Sequence, residues 1–100
     1  MGKVDEIYEE LKNVLDPEVG FDIVSLGLIY GVKFDEDSRK AHIDMTLSTK
    51  SCPLHDLILK WVYDAAMRVG GVEECDIDLV WEPTWSIDMA TDEVKKALSF

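Results

Sequence analysis

The stretch Ala41-His-Ile-Asp-Met-Thr-Leu-Ser-Thr-Lys-Ser-Cys-Pro-Leu-His-Asp-Leu-Ile-Leu-Lys-Trp-Val62 decides the fold, because its hydrophobic pattern changes period in the middle. Its first part alternates apolar and polar residues, which predicts a β-strand with one buried face. From Pro53 onward the apolar residues recur at helical spacing, and proline suits the first turn of a helix, where its missing N–H has no partner to lose. The stretch therefore predicts a strand, a loop that carries Cys52, and a helix.

The same patterns give the elements in the rest of the chain. The predicted elements are a helix (4–14), a hairpin of two strands (29–34 and 40–47), the helix after Pro53, a third strand (75–81) and a short capped helix (91–98). The apolar positions that we expect the second helix to bury are Leu54, Leu57, Ile58, Trp61, Val62, Ala65 and Val69.

This order of elements predicts an α+β fold. We expect a small mixed sheet, made of the hairpin and the third strand, covered on one face by two main helices, with a short C-terminal helix. The chain of 100 residues is long enough for one core, so we expect residues 1–100 to form a single domain. By alternation, the other face of the sheet, which is expected to be wet or to form an interface, carries His42, Asp44, Thr46, Asp76 and Asp78.

The charge and composition of the chain exclude some classes of partner. The formal net charge of −11 and the pI of about 4.4 predict a surface that repels nucleic acid and anionic membranes. Apolar runs stay well short of the roughly 20 residues that cross a bilayer, so no membrane segment is expected. Two cysteines imply no disulfide framework, and a reducing, cytoplasmic location is the default.

Cys52 is the leading candidate for chemistry. Unpaired N–H groups and the helix dipole meet at a helix N-terminus, and both favour a thiolate, the form that attacks electrophiles and binds soft metals. His55, three residues later, could complete a Cys/His pair or add a metal ligand, although two ligands do not complete a metal site. The alternatives are a half-buried cysteine at a strand–helix corner and an exposed histidine.

Two further loops attract attention. Asp16, Glu18 and Asp22 could form an acid/base site or a solvated acidic turn. The segment from Trp81 to Met89 holds two tryptophans around a proline and could cover the end of the sheet, wall the cysteine pocket or contact a partner. We expect Cys75 to be packed on the buried face of the third strand.

Three segments together resemble one family, the metal–sulfur cluster biosynthetic proteins, which include SufT-like and PaaD-like iron–sulfur assembly domains. They are Asp16-Pro-Glu-Val-Gly-Phe-Asp-Ile-Val-Ser-Leu-Gly-Leu-Ile-Tyr30, Met45-Thr-Leu-Ser-Thr-Lys-Ser-Cys-Pro53 and Val80-Trp-Glu-Pro-Thr-Trp-Ser-Ile-Asp-Met89. The similarity extends over residues 4–89 in the same order.

This resemblance implies a small α+β fold and a role in the maturation of iron–sulfur proteins. The functional pocket that it implies consists of Cys52, Asp16, Glu18, Thr46, Thr49 and Ser51. Family members commonly have glycine immediately before the cysteine, whereas this chain has Ser51, so we expect a more constrained backbone there. Cys52 is the expected metal ligand, shared between chains, and His55 is a further candidate.

Three functions remain open on the sequence. The first is a non-enzymatic assembly or targeting factor that holds no tight cofactor but carries iron or an iron–sulfur cluster transiently, with assembly machinery and client apoproteins as partners. The second is an enzyme with Cys52 as nucleophile, and the third is a module for protein interaction. Because a cluster takes about four thiolates, a single chain would have to share one with a homodimer partner or another protein.

Overall fold

The computed structural model describes residues 2–17, 19–47 and 55–98, except for the side chain of His55. The elements in chain order are α1 (Lys3–Leu11), β1 (Ile29–Asp35), β2 (Lys40–Met45), α2 (His55–Met67), β3 (Glu74–Leu79), a 3-10 helix (Ile87–Met89) and α3 (Asp92–Leu98). The predicted α+β class is confirmed. None of the helices in these ranges is long and apolar enough to cross a membrane.

The sheet within the described residues has three strands in the order β1-β2-β3. β1 and β2 form an antiparallel hairpin, and β2 pairs in parallel with β3. Because parallel neighbours need a crossover, α2 lies between them in the chain and packs on β3. The predicted mixed sheet, a hairpin plus a third strand, is therefore confirmed.

The core lies between one face of this sheet and the helices. Ile43 is fully buried at the centre of the sheet, between Val32 on β1 and Ile77 on β3. α1 packs against both β1 and α2, so the two main helices cover the same face. The fully buried large apolar side chains are Ile7, Leu11, Ile23, Leu26, Leu28, Ile43, Met45, Ile58, Val62 and Val94.

The first helix is shorter than predicted. It ends at Leu11 rather than Val14, because the next turn tightens. The N–H groups of Asn13 and Val14 donate to carbonyls three residues back, on Glu10 and Leu11, instead of four. Val14 nevertheless remains buried, which explains why its apolar character fitted a helical pattern.

The part of the second helix that is buried differs from the stripe of apolar residues that the sequence predicted. Ile58, Val62 and Ala65 are almost completely buried, as predicted. Leu57 and Trp61, however, are 39% and 36% exposed, so their assignment to the core was wrong. They lie at one edge of the stripe, whereas Ala66, beyond its other edge, is fully buried.

The outer face of the sheet is polar, as the alternation predicted. His42 and Asp44 are half-buried there, and Asp76 and Asp78 lie beside them on β3. Thr46 departs from the prediction, since it is completely buried. The strand has ended at Met45, and the N–H of Thr46 donates to the carbonyl of Leu28 at 2.9 Å, which turns this residue away from the outer face.

Candidate functional site

A run of backbone hydrogen bonds ties the acidic loop to the end of β2. The N–H of Ile23 donates to the carbonyl of Val14 at 3.0 Å, and the N–H of Leu28 donates to the carbonyl of Ile23 at 3.0 Å. The N–H of Thr46 then donates to the carbonyl of Leu28 at 2.9 Å. The loop that contains Asp16 and the start of the loop that contains Cys52 therefore share one backbone framework.

The third segment joins this framework through the parallel strand pair. Parallel strands end at the same edge of a sheet, so the chains leaving β2 and β3 emerge together. The N–H of Val80 donates to the carbonyl of Met45 at 2.8 Å, just before both chains leave the sheet. The three segments that carry the resemblance thus meet at one edge of the domain.

Side chains of the tryptophan segment fasten it to the turn before β1. The indole Nε1–H of Trp85 donates to the carbonyl of Leu26 at 2.7 Å, and the hydroxyl of Tyr30 donates to the carbonyl of Pro83 at 2.6 Å. Burial of the Tyr30 ring, and then the charge of Glu82, raise the pKa of its phenol. The segment therefore covers the edge of the core, as one of its predicted roles required.

Gly27 makes the close approach of these two segments feasible. Its φ of +79° lies in the left-handed region that side chains rarely adopt. A Cβ at this position would lie 2.3 Å from the carbonyl oxygen of Met89. Only glycine therefore fits where the segment after β3 crosses the turn.

Asp16 is not part of a solvated turn. Only 2% of its surface is exposed, which contradicts a solvated acidic turn, one of the two interpretations of this loop from the sequence. Its N–H donates to the carbonyl of Phe21 at 2.9 Å, and its own carbonyl accepts from the N–H of Gly20 at 2.7 Å. Asp22 stays half-exposed, and its carboxylate accepts from the N–H of Ser25 at 2.9 Å.

Thr46 contributes a second buried polar group at this edge. Its side chain has no exposed surface, and among the described residues its Oγ1 makes no hydrogen bond. A buried hydroxyl without a partner costs about 1–3 kcal/mol. Within the described residues, packing alone therefore does not explain why this hydroxyl is buried. Thr46 is the first residue after β2, on the chain that leads to Cys52.

The other predicted pocket residues lie outside the described residues. These are Glu18, Thr49, Ser51 and Cys52. His55 is described only as the first backbone position of α2, so its role as a ligand also stays a prediction. Of the six predicted pocket residues, Asp16 and Thr46 are the two that the structure describes, and both are buried.

Cys75 differs from the reactive type of cysteine. It is half-buried on the inner face of β3, where it packs against the core as predicted. Burial, and then the charge of Asp76, raise the pKa of its thiol to about 11. At neutral pH it is therefore a thiol and a poor nucleophile or metal ligand.

Sequence reasoning missed a groove beside the acidic loop. It has a volume of about 340 Å³ and is lined by Asn13, Val14, Leu15, Trp61, Asp64 and Arg68. Leu15 is 52% exposed, so an apolar side chain immediately before Asp16 faces solvent. The sequence contained a signal for the exposure of Leu15, because this residue lies immediately before Asp16-Pro17, where the helical pattern stops.

Comparison with known proteins agrees with this arrangement. A family model described as iron-sulfur cluster assembly protein matches residues 4–79. The chain is 40% identical over 94 residues to the Fe-S protein maturation auxiliary factor YitW of Bacillus subtilis, covering 94% of this chain and 91% of that protein. It is 38% identical to the auxiliary factor SufT of Staphylococcus aureus, covering 85% of this chain and 96% of the relative.

A solved structure extends the similarity to three dimensions. The crystal structure of a domain of unknown function, DUF59, from Bacillus anthracis superimposes with a TM-score of 0.89 at 37% identity. The match covers 96% of this chain and 91% of that one. The family model spans most of the chain, the relatives are similar over nearly their whole length, and the fold is shared, so the chain belongs to the iron–sulfur cluster assembly protein family.

Proposed function

We propose that this protein is an auxiliary factor in the maturation of iron–sulfur proteins and that it handles iron or a cluster transiently through Cys52. Its relatives in Bacillus subtilis and Staphylococcus aureus are named Fe-S protein maturation auxiliary factors. The chain acts by contact with assembly proteins and client apoproteins rather than by catalytic turnover. The cargo is received and passed on, not kept.

The buried hydroxyl of Thr46 is the observation that carries this proposal. Its Oγ1 has no hydrogen-bond partner among the described residues, and a buried hydroxyl without a partner costs about 1–3 kcal/mol that a valine of the same shape would avoid. The hydroxyl lies where the chain leaves β2 for Cys52, on the backbone framework shared with Asp16. We infer that Thr46 provides a hydrogen bond to the loop or its cargo when the site is engaged.

The small number of cysteines supports transient binding of a cluster. An iron–sulfur cluster usually takes about four thiolate ligands. Cys75 is held as a thiol by its raised pKa, which leaves Cys52 as the one available thiolate of this chain. A cluster is therefore shared, either between the Cys52 residues of two copies or with cysteines of a partner. Sharing makes the cluster easy to transfer.

The principal experiment compares two cysteine variants. A bacterial strain that lacks its own factor of this family is complemented with the wild-type chain, with Cys52→Ser or with Cys75→Ser, and the activity of its iron–sulfur enzymes is measured. We expect Cys52→Ser to fail and Cys75→Ser to restore activity. Equal urea midpoints for the purified proteins show that folding is not the cause. Full complementation by Cys52→Ser would overturn the proposal.

Thr46→Val tests the role of the hydroxyl separately. The variant should be as stable as the wild type or more stable, since the hydroxyl that it removes makes no hydrogen bond within the described residues. It should nevertheless support less client activity than Thr46→Ser, which keeps the hydroxyl. If Thr46→Val matures clients as well as the wild type does, the hydroxyl has no part in the function.

A second candidate function, a module for protein interaction with Cys52 incidental, is favoured by the groove. Leu15 and Trp61 line it, and Leu57 lies exposed on the same side of α2, one turn before Trp61. Trp61→Ala should impair client maturation without changing the amount of cluster that the purified chain binds. If Trp61→Ala abolished function while Cys52→Ser preserved it, this second function would replace the first.

A further inference from the structure

The outer face of the sheet gathers an imidazole and two carboxylates from neighbouring strands. The Nε2 atom of His42 lies 2.9 Å from Oδ1 of Asp44 and 3.2 Å from Oδ2 of Asp78. One potential ligand atom from each of these three residues lies within 4.8 Å of the other two. This cluster is separate from the Cys52 segment in sequence and lies on the sheet face away from the core.

Strand register creates the cluster. His42 and Asp44 are two residues apart on β2 and so point to the same side, and the parallel register places Asp78 directly beside Asp44. On the other side of Asp44 the register places Gly31, whose missing side chain leaves that flank open. A Cβ on Gly31 would lie 3.8 Å from Oδ2 of Asp44. The carboxylate is therefore accessible from solvent.

We propose that His42, Asp44 and Asp78 bind a divalent transition-metal cation. At metal–ligand distances of about 2.1 Å, neighbouring ligands of an octahedral ion lie about 3.0 Å apart and opposite ligands about 4.2 Å apart. The nitrogen–oxygen distances of 2.9 and 3.2 Å already match neighbouring ligands. Small side-chain rotations bring the two carboxylates, now at most 4.8 Å apart, into range.

The donor set indicates the class of metal. One imidazole nitrogen with two carboxylate oxygens suits borderline and moderately hard ions such as Fe²⁺, Mn²⁺ and Zn²⁺ better than soft ions, which prefer thiolates. Three protein ligands leave the remaining positions to water. Such a site binds an ion exchangeably, in contrast to a closed structural site with four protein ligands.

The neighbouring charges on this face favour a cation at this point. Asp76, beside His42, is already paired with Lys40, whose Nζ lies 2.7 Å from its carboxylate. Asp44 and Asp78 share instead a single imidazole, in a chain with a net charge of −11. Lys33 pairs with His42 in the register and carries a positive charge, so its replacement by glutamine should strengthen metal binding.

The experiment uses Mn²⁺ as the probe, because thiolates such as Cys52 compete poorly for this harder ion. Mn²⁺ is titrated into the intact chain, and the selective broadening of amide NMR signals locates it. Electron paramagnetic resonance of the free ion gives the dissociation constant. The matched pair of variants is Asp78→Asn, which removes a ligand, and Asp76→Asn, which removes the same charge two residues away.

We expect broadening centred on His42, Asp44 and Asp78. Asp78→Asn and His42→Gln should each weaken binding by about tenfold or more, the scale on which even outer-shell changes act, whereas Asp76→Asn should change it by less than about threefold. Equal losses in the two aspartate variants would show diffuse attraction to an acidic surface and overturn the site. Broadening centred elsewhere, or no saturable binding, would also overturn it. No outcome depends on client maturation, so this inference stands or falls separately from the proposed function.

Discussion

Replacing Gly27 by alanine is the sharpest test of how the tryptophan segment is held. The left-handed φ of +79° costs an alanine about 1–2 kcal/mol. In addition, its Cβ would lie 2.3 Å from the carbonyl oxygen of Met89, a backbone atom that can move only with its segment. Forcing extra volume into such a contact costs about 1–3 kcal/mol. We therefore expect Gly27→Ala to destabilise the fold by about 2–5 kcal/mol.

Gly20→Ala provides the matched control. Its φ of +87° imposes the same backbone strain, but no atom of the described residues lies within 4 Å of the Cβ that it would gain. Both changes also restrict the unfolded chain equally, so that contribution cancels in the difference. The excess loss in Gly27→Ala therefore measures the contact with Met89 alone.

Urea unfolding followed by tryptophan fluorescence gives both free energies. An excess of about 2 kcal/mol moves the midpoint by about 1 M at a slope near 2 kcal/mol per molar urea. Hydrogen exchange in Gly27→Ala should also speed up at Thr91, whose N–H donates to the carbonyl of Ser25 across the same contact. Equal midpoints for the two alanine variants would refute the close approach.

Four further outcomes follow from burial, hydrogen bonding and ionisation. Ile58→Ala should lower the free energy of unfolding by about 2–5 kcal/mol, and Trp61→Ala by only about 1–2 kcal/mol, because solvent fills the space that the exposed indole leaves. A lower urea midpoint for Trp61→Ala than for Ile58→Ala would contradict this. Trp85→Phe should lower the free energy of unfolding by about 1–3 kcal/mol in thermal denaturation, since it removes the indole N–H that donates to the carbonyl of Leu26 in a partly buried hydrogen bond. Native Cys75 should alkylate about 100-fold more slowly than in urea at pH 8, since its pKa rises from 9.0 to about 11, and mass spectrometry measures both rates. Because the raised pKa keeps the folded state protonated while the unfolded thiol ionises, stability should fall between about pH 9 and 11. Cys75→Ser should reduce that fall and leave the part that the raised pKa of Tyr30 contributes.

The periodicity of apolar residues predicted the helices and strands well, but it could not show which part of a helix surface is buried. At about 100° per residue, the predicted apolar stripe of α2 spans about 140° of the helix circumference. The arc that is buried among the described residues is shifted from this stripe, because Ala66, which lies outside the stripe, is fully buried. Ile58 and Val62 lie within the covered arc, and Leu57 and Trp61 lie outside it. Which edge of the stripe is exposed depends on the neighbours of the helix, which periodicity does not contain.

The metal-ligand cluster shows a second limit of the sequence. Alternation correctly placed His42, Asp44 and Asp78 on one face, because it depends only on the local chain. Their convergence depends on the parallel register that sets Asp44 beside Asp78. A shift of two residues would keep the same face and bring different side chains together.

At the edge where the three segments meet, local patterns gave the wrong burial for two residues, and the pocket that the resemblance implies there stays a prediction. The pattern alone left Asp16 in a solvated turn and put Thr46 on the wet face, and both are buried. Each lies in a segment whose conformation is set by backbone hydrogen bonds to residues distant in sequence, such as that from Thr46 to Leu28. Such long-range bonds leave no local signature.

The parallel pairing of β2 with β3 also gives the domain two ends that can change independently. The chains that leave these strands, with the Cys52 segment and the tryptophan segment, depart from one end, whereas the hairpin turn at residues 36–39 lies at the other. Insertions or fused labels at the hairpin turn are therefore remote from the three segments that carry the resemblance. A fluorophore attached at Ser38, on the exposed turn, would make it possible to follow the protein without altering the end where these segments meet.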